Sequence, residues 1–256
     1  MTSITTTNPA TGEAIKTYEE MSNDALNEAI ERAHQTYLTW RNVPLEERAS
    51  LMKKAAQILR DDQALYGKII TDEMGKPIAQ AMAEVEKCAW LCDHYADTTA
   101  EYIKPTEIKT ELRKCYLHHE PMGIIFAIMP WNFPFWQVLR FAVPNLMVGN
   151  VGLLSHAPIS IGAGEAMEDI FRRAGFPEGA FQNLVVSNDQ AADIIAHQHV
   201  RGVTITGSER AGKAVAAKAG AELKKSVMEL AFGWSGILNQ HHKPTSKPIY
   251  YDRLPL

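Results

Sequence analysis

The chain has 256 residues, 46 % of them hydrophobic and 22 % charged, with a formal net charge of -4 at pH 7. This composition specifies a folded globular protein with one large or two small cores, and excludes a disordered chain. With no basic run against the acidic balance, it also excludes charge-driven binding to nucleic acid or an anionic membrane.

No apolar run approaches the roughly 18 residues of a membrane-spanning helix, and Met1-Thr2-Ser3-Ile4-Thr5 lacks the regions of a signal peptide. A cytoplasmic location is therefore expected. The three cysteines, Cys88, Cys92 and Cys115, are too few and too odd for a disulfide framework, so reduced thiols are expected.

The first hundred residues read as helical. Ser22 is an N-cap, after which Leu26, Ala29, Ile30, Ala33 and Tyr37 recur on one helix face. A second helix begins at Pro44, with Leu51, Met52, Ala55, Ile58 and Leu59 inward. A third runs from about Gln63 to Met74 and is stopped by Gly75 and Pro77. A fourth, long helix carries Ala81, Val85, Cys88, Ala89 and Cys92 on one stripe and fades before Pro105.

From Glu107 to Glu120, two short strand-like runs flank Arg113-Lys114 and predict a hairpin. After Pro121 the chain alternates strands and helices. The predicted strands are 123–129, 151–154, 183–186, 202–206 and 226–230. Right-handed crossovers turn that alternation into an α/β fold: a Rossmann-like, doubly wound parallel sheet of about five strands, preceded by the helical region and the hairpin. The expected division is 1–106 helical, 107–122 hairpin, 123–230 nucleotide-binding and 231–256 an aperiodic tail.

Three elements carry candidate chemistry. Pro130-Trp131-Asn132-Phe133-Pro134 follows the first sheet strand, where open α/β sheets bind ligands, and Asn132 is an amide donor suited to an oxyanion or an ordinary turn residue. Thr206-Gly207-Ser208-Glu209-Arg210-Ala211-Gly212 is a strand, a glycine turn and a helix start that can receive phosphate, although Ser208 would serve equally as a plain N-cap. Glu229, at the last strand's end, is either a general base or an exposed carboxylate. No metal site is expected, since Cys88 and Cys92 lie on an apolar stripe and His118-His119 and His241-His242 lack ligand spacing.

In this order and on this alternation, the three elements resemble the aldehyde dehydrogenase superfamily, from Asn8-Pro9-Ala10-Thr11-Gly12-Glu13 to Leu230. Glu73-Met74-Gly75-Lys76-Pro77 and Phe135-Trp136-Gln137-Val138-Leu139-Arg140 are most similar to succinate-semialdehyde members. The resemblance implies an NAD or NADP cofactor and an aldehyde or semialdehyde substrate. It further implies that Asn132 donates to the thiohemiacetal oxyanion, Ile128 and Trp131 line the cofactor cleft, Gly207 and Ser208 meet the pyrophosphate, and Glu229 activates water. Arg140 falls where such members place an arginine near the substrate carboxylate, and a helix-surface ion pair is its other reading.

Three departures qualify the resemblance. Ser155 stands where the family has a lysine reaching the adenosine ribose, so weaker cofactor binding is expected. Pro158 stands where many NAD-preferring relatives have a glutamate, which leaves NADP open. The family continues Glu-Leu-Gly-Gly toward a downstream nucleophilic cysteine, whereas Ala231-Phe232 follows Glu229-Leu230 here. The expectation is a truncated enzyme, by frameshift or premature stop, that is inactive alone, with partial oligomerisation through the hairpin.

Overall fold

The computed structural model describes residues 2–111 and 113–231. The tail after Ala231 and the departure at Phe232 lie outside the described residues.

The chain opens with two antiparallel strands, β1 (Ser3–Thr7) and β2 (Ala14–Glu19), where helix alone was expected. The β-branched run Ile4-Thr5-Thr6-Thr7 favours extended backbone, and Gly12, at φ 75°, supplies the left-handed residue of the connecting turn. The expected helices then follow: α1 (Asn23–Trp40), α2 (Leu45–Asp61), α3 (Gln63–Met74) and α4 (Ile78–Tyr102). The Ser22 hydroxyl caps α1 by accepting from Ala25 N at 3.2 Å. All five inward residues read for α1 are buried, whereas in α2 Leu51 and Ile58 are only half-buried. Gly75 ends α3 in the left-handed conformation, and Pro77 sets up α4. The expected hairpin is short, with β3 (Thr106–Glu107) paired antiparallel to β4 (Tyr116–Leu117).

Five parallel strands follow: β5 (Ile124–Met129), β6 (Val151–His156), β7 (Phe181–Asn183), β8 (Val200–Ser208) and β9 (Lys225–Ala231). Their spatial order is β7-β6-β5-β8-β9. The strand expected at 183–186 ends instead at Asn183, because Phe181, Gln182 and Asn183 are the residues that pair with β6. The connecting helices are α5 (Trp136–Val148), α6 (Ile161–Ala174), α7 (Asn188–Ala196) and α8 (Glu209–Ala221). Helices α5 and α6 cover one face and are backed by α2 to α4, while α1, α7 and α8 cover the other. No described helix is long and apolar enough to cross a membrane.

Two buried polar groups tie the crossovers to the sheet. Glu73 accepts from Gly162 N at 2.8 Å and Ala163 N at 2.9 Å, capping α6 from outside its own segment. His156, at the end of β6, accepts at Nδ1 from Ala157 N at 2.8 Å and donates from Nε2 to the Pro134 carbonyl at 3.0 Å. Burial pushes this imidazole from 6.5 down to about 4, so it is neutral in the folded protein at ordinary pH.

A chain that unfolds between those two values takes up a proton that the folded imidazole refuses. His156 therefore gives its full stability above about pH 6.5 and loses it as pH falls toward 4. Urea unfolding across this window is expected to give a shallower pH slope for His156→Gln than for the parent; parallel slopes would rule the account out. The glycines give a second test. Gly149 has φ 96°, and a Cβ there would collide with the Arg48 guanidinium, whereas a Cβ on Gly220 in α8 meets nothing within 4 Å. Gly149→Ala is expected to cost about 1–2 kcal/mol, and Gly220→Ala to gain up to about 1 kcal/mol, read from the same unfolding curves.

Candidate functional site

Parallel strands end on one edge of the sheet, and the order reverses between β5 and β8, which opens a crevice at their carboxyl ends. The expected site residues gather at this edge. Asn132 and Trp131 occupy the loop after β5, and Ile128 and Ser155 are register partners near the ends of β5 and β6. Gly207 and Ser208 close β8, and Glu229 lies beside Thr206 on β9. Arg140 reaches the edge from α5.

Two cavities flank the crevice on opposite faces of the sheet. On the α5 face, about 340 Å³ is enclosed by residues including Met129, Gln137, Arg140, Thr206 and Glu229. Arg140 Nη2 and Glu229 Oε2 form an ion pair in this wall. The Thr206 hydroxyl donates to the same carboxylate oxygen at 3.4 Å. With the two side chains 42 % and 50 % exposed, water screens the pair, which contributes orientation more than stability. Of the two sequence readings of Arg140, the structure shows the ion pair, and its partner is the candidate base.

On the other face, about 330 Å³ lies between α7, α8 and the sheet, walled by Ile128, Ile205, Ala211 and Val215, with Arg210 and Lys218 also contributing. Gly207 has no positive φ, and a Cβ there would meet nothing nearer than 3.8 Å. Neither backbone strain nor internal packing requires a glycine here, and the space above it is open. Ser208 accepts from Ala211 N at 3.3 Å as the N-cap of α8, whose positive dipole end faces the crevice. A flat apolar slot, an open glycine and a helix N-terminus fit a dinucleotide. Ser155 is half-buried and brings no charge to the site.

The Trp131-Asn132 turn is exposed, with Trp131 at 49 %, and Asn132 Oδ1 accepts from Phe133 N at 3.1 Å. That bond uses the amide oxygen and leaves the Nδ2 hydrogens as the donors a ligand can receive. Directly after this turn, Glu84 of α4 accepts on one oxygen from Phe135 N and Trp136 N, both at 3.0 Å. Its other oxygen pairs with Lys76 in the interior. The Lys76 ammonium also lies 3.8 Å from the centre of the Phe133 ring. Sequence reasoning singled out neither Glu84 nor His156, and used Glu73 and Lys76 only as marks of resemblance. The available signal was a carboxylate on the apolar stripe of α4, between Ala81 and Val85.

Cys88 and Cys92 are fully buried, and burial pushes both thiols well above their ordinary range, so neither offers a thiolate. Cys115 lies between β3 and β4, away from the crevice. Among the described residues no group of three or more His, Cys, Asp or Glu side chains can hold a metal ion.

Comparison with known proteins agrees with this geometry. Residues 1–232 match the model of the aldehyde dehydrogenase family. A probable NADP(+) succinate-semialdehyde dehydrogenase from Synechocystis is 43 % identical over 227 residues, which cover 89 % of this chain and 50 % of that protein. An NAD(P)+ succinate semialdehyde dehydrogenase from Escherichia coli is 41 % identical over 223 residues, covering 87 % and 48 %. The crystal structure of succinic semialdehyde dehydrogenase from Streptococcus pyogenes with NADP+ superposes with a TM-score of 0.87 at 39 % identity, covering 89 % of this chain and 50 % of that one. The chain thus spans about half the length of the curated relatives it matches. With the family model covering nearly all of its residues, the chain belongs to the aldehyde dehydrogenase family.

Proposed function

We propose that this chain is the cofactor-binding half of an NAD(P)-dependent aldehyde dehydrogenase of the semialdehyde type, with succinate semialdehyde as the model substrate. The observation that carries this reading is the meeting, at one crevice, of a dinucleotide-shaped slot on one face and the Arg140 and Glu229 pair on the other. In this reading Gly207, Ser208 and the start of α8 hold the pyrophosphate, while Ile128 and Trp131 flank the cofactor. When bound, the nicotinamide would supply the hydride acceptor.

The protein's own groups then bind and orient. Asn132 Nδ2 donates to the oxygen that gains charge when a nucleophile adds to the aldehyde. Arg140 offers a guanidinium to the carboxylate at the far end of a semialdehyde acid. Glu229 takes a proton from water, for which its Oε2 must be released from Arg140. The division into a helical part over 1–106, a hairpin over 107–122 and a nucleotide-binding part over 123–230 belongs to the same proposal. So does self-association through the hairpin, where Ile108, Tyr116 and Leu117 are exposed.

Covalent catalysis needs a thiolate at the crevice; Cys88 and Cys92 are buried, and Cys115 lies between β3 and β4 and not at the sheet edge. The 256-residue chain alone is therefore expected to yield no aldehyde-dependent NAD(P)H; steady turnover with succinate semialdehyde would overturn this. The second reading, a nucleotide-binding or interaction fragment without catalysis, rests on the same slot. Calorimetric titration tests the slot itself. The parent is expected to bind NADP weakly, and Ser155→Lys to tighten binding about tenfold, or roughly 1.4 kcal/mol, by restoring an ammonium at the ribose. No binding by either protein would remove the cofactor assignment and leave the interaction reading.

A further inference from the structure

The loop proposed to carry the oxyanion donor is held from behind by groups that touch no ligand. Its four residues after Asn132 are each gripped. The Phe133 ring lies against the Lys76 ammonium, and the Pro134 carbonyl accepts from His156 Nε2 at 3.0 Å. The amides of Phe135 and Trp136 both donate to Glu84 Oε1 at 3.0 Å. The Trp136 ring is covered in turn by the Lys87 ammonium, 3.6 Å from its centre.

Lys76, Glu84 and His156 are all more than nine-tenths buried, with exposures of 8 %, 4 % and 8 %. A buried carboxylate or ammonium is costly unless paired and hydrogen-bonded. Here the two charges neutralise each other, and the carboxylate also receives the first amides of α5, which have no partner within their own helix. The grip joins three parts of the chain: the turn between α3 and α4, α4 itself, and the end of β6. Asn132 and Trp131 stand at the exposed apex of a loop whose base is anchored in the interior.

We infer that Lys76, Glu84 and His156 are positioning residues that set the placement of the Trp131-Asn132 turn, and with it the nicotinamide side of the site. The inference rests on the function proposed above. The adenosine side, built from α7, α8 and the end of β8, touches none of the three, so loosening the clamp separates the two halves of the ligand.

The experiment uses the whole chain and two variants. Lys76→Met with Glu84→Leu removes both buried charges together, which leaves neither unpaired, and unties the Phe135 and Trp136 amides. Glu84→Asp keeps the charge but draws the carboxylate back from the amides, and decides the matter should the double variant not fold. Hydrogen exchange of the 133–140 segment is expected to accelerate at least tenfold in both, while β5, β6 and β8 keep their protection. Affinity for NADPH is expected to fall about tenfold, and affinity for 2′,5′-ADP, which lacks the nicotinamide half, to stay within about twofold. A purely structural role would weaken both ligands alike, and that result, or unchanged exchange, overturns the inference. Should the parent bind neither nucleotide, the proposed function and this positioning role both fail, while the exchange data still report whether the clamp exists.

Discussion

Helices that follow sheet strands leave their first amides unpaired, and in this protein those amides are satisfied by carboxylates from a distant segment. Glu84 receives the start of α5 and Glu73 the start of α6. The two acids flank Gly75-Lys76-Pro77, the turn that ends α3 and launches α4. One short stretch therefore fixes both crossovers leaving the central strands β5 and β6. The N-terminal helices are for this reason part of the site's construction, since they determine where the loop after β5 can lie.

The two sides of the crevice are built on different terms. Toward α7 and α8, apolar walls, an open glycine and a helix terminus make a slot whose shape exists without a ligand. Toward α5 the polar groups that matter face each other, with Arg140 engaging the carboxylate of Glu229. The first side stands open as it is, whereas the second is closed by its own ion pair.

Much of this could be read from the chain itself because it is local. Apolar residues at helical spacing located α1 to α4, Gly75 and Pro77 stopped α3 where expected, and strand-helix alternation implied the parallel sheet. Most of the candidate site residues sit at or just after a strand end, where chain order and spatial edge coincide, and Arg140 lies on the helix that follows β5. Other features depend on partners remote in sequence. The β1–β2 pair carries no strong apolar pattern, since only one residue of β1, Thr6, is buried, and a helical reading of the first hundred residues passes over it. Strand β7 was placed two residues late because its position depends on which residues pair with β6. Glu84 carried a weak signal as a charge on an apolar stripe, but its partners lie 51 and 52 positions away.

Long-range pairing also governs the order in which this protein can fold. Arg32 on α1 donates to the side chain of Gln182 on β7 at 2.9 and 2.7 Å, and Gln182 donates to the Ala29 carbonyl at 2.9 Å, across some 150 positions of chain. At ribosomal speeds of about 5–20 residues per second, roughly eight to thirty seconds separate the two ends of that contact. Until β5 and β6 are made, the apolar face of α1, with Leu26, Ile30 and Tyr37, has no sheet strand to cover it. The contact between α1 and β7, the shortest strand of the sheet, therefore forms only after the helices are made, while β8 and β9 are still to come.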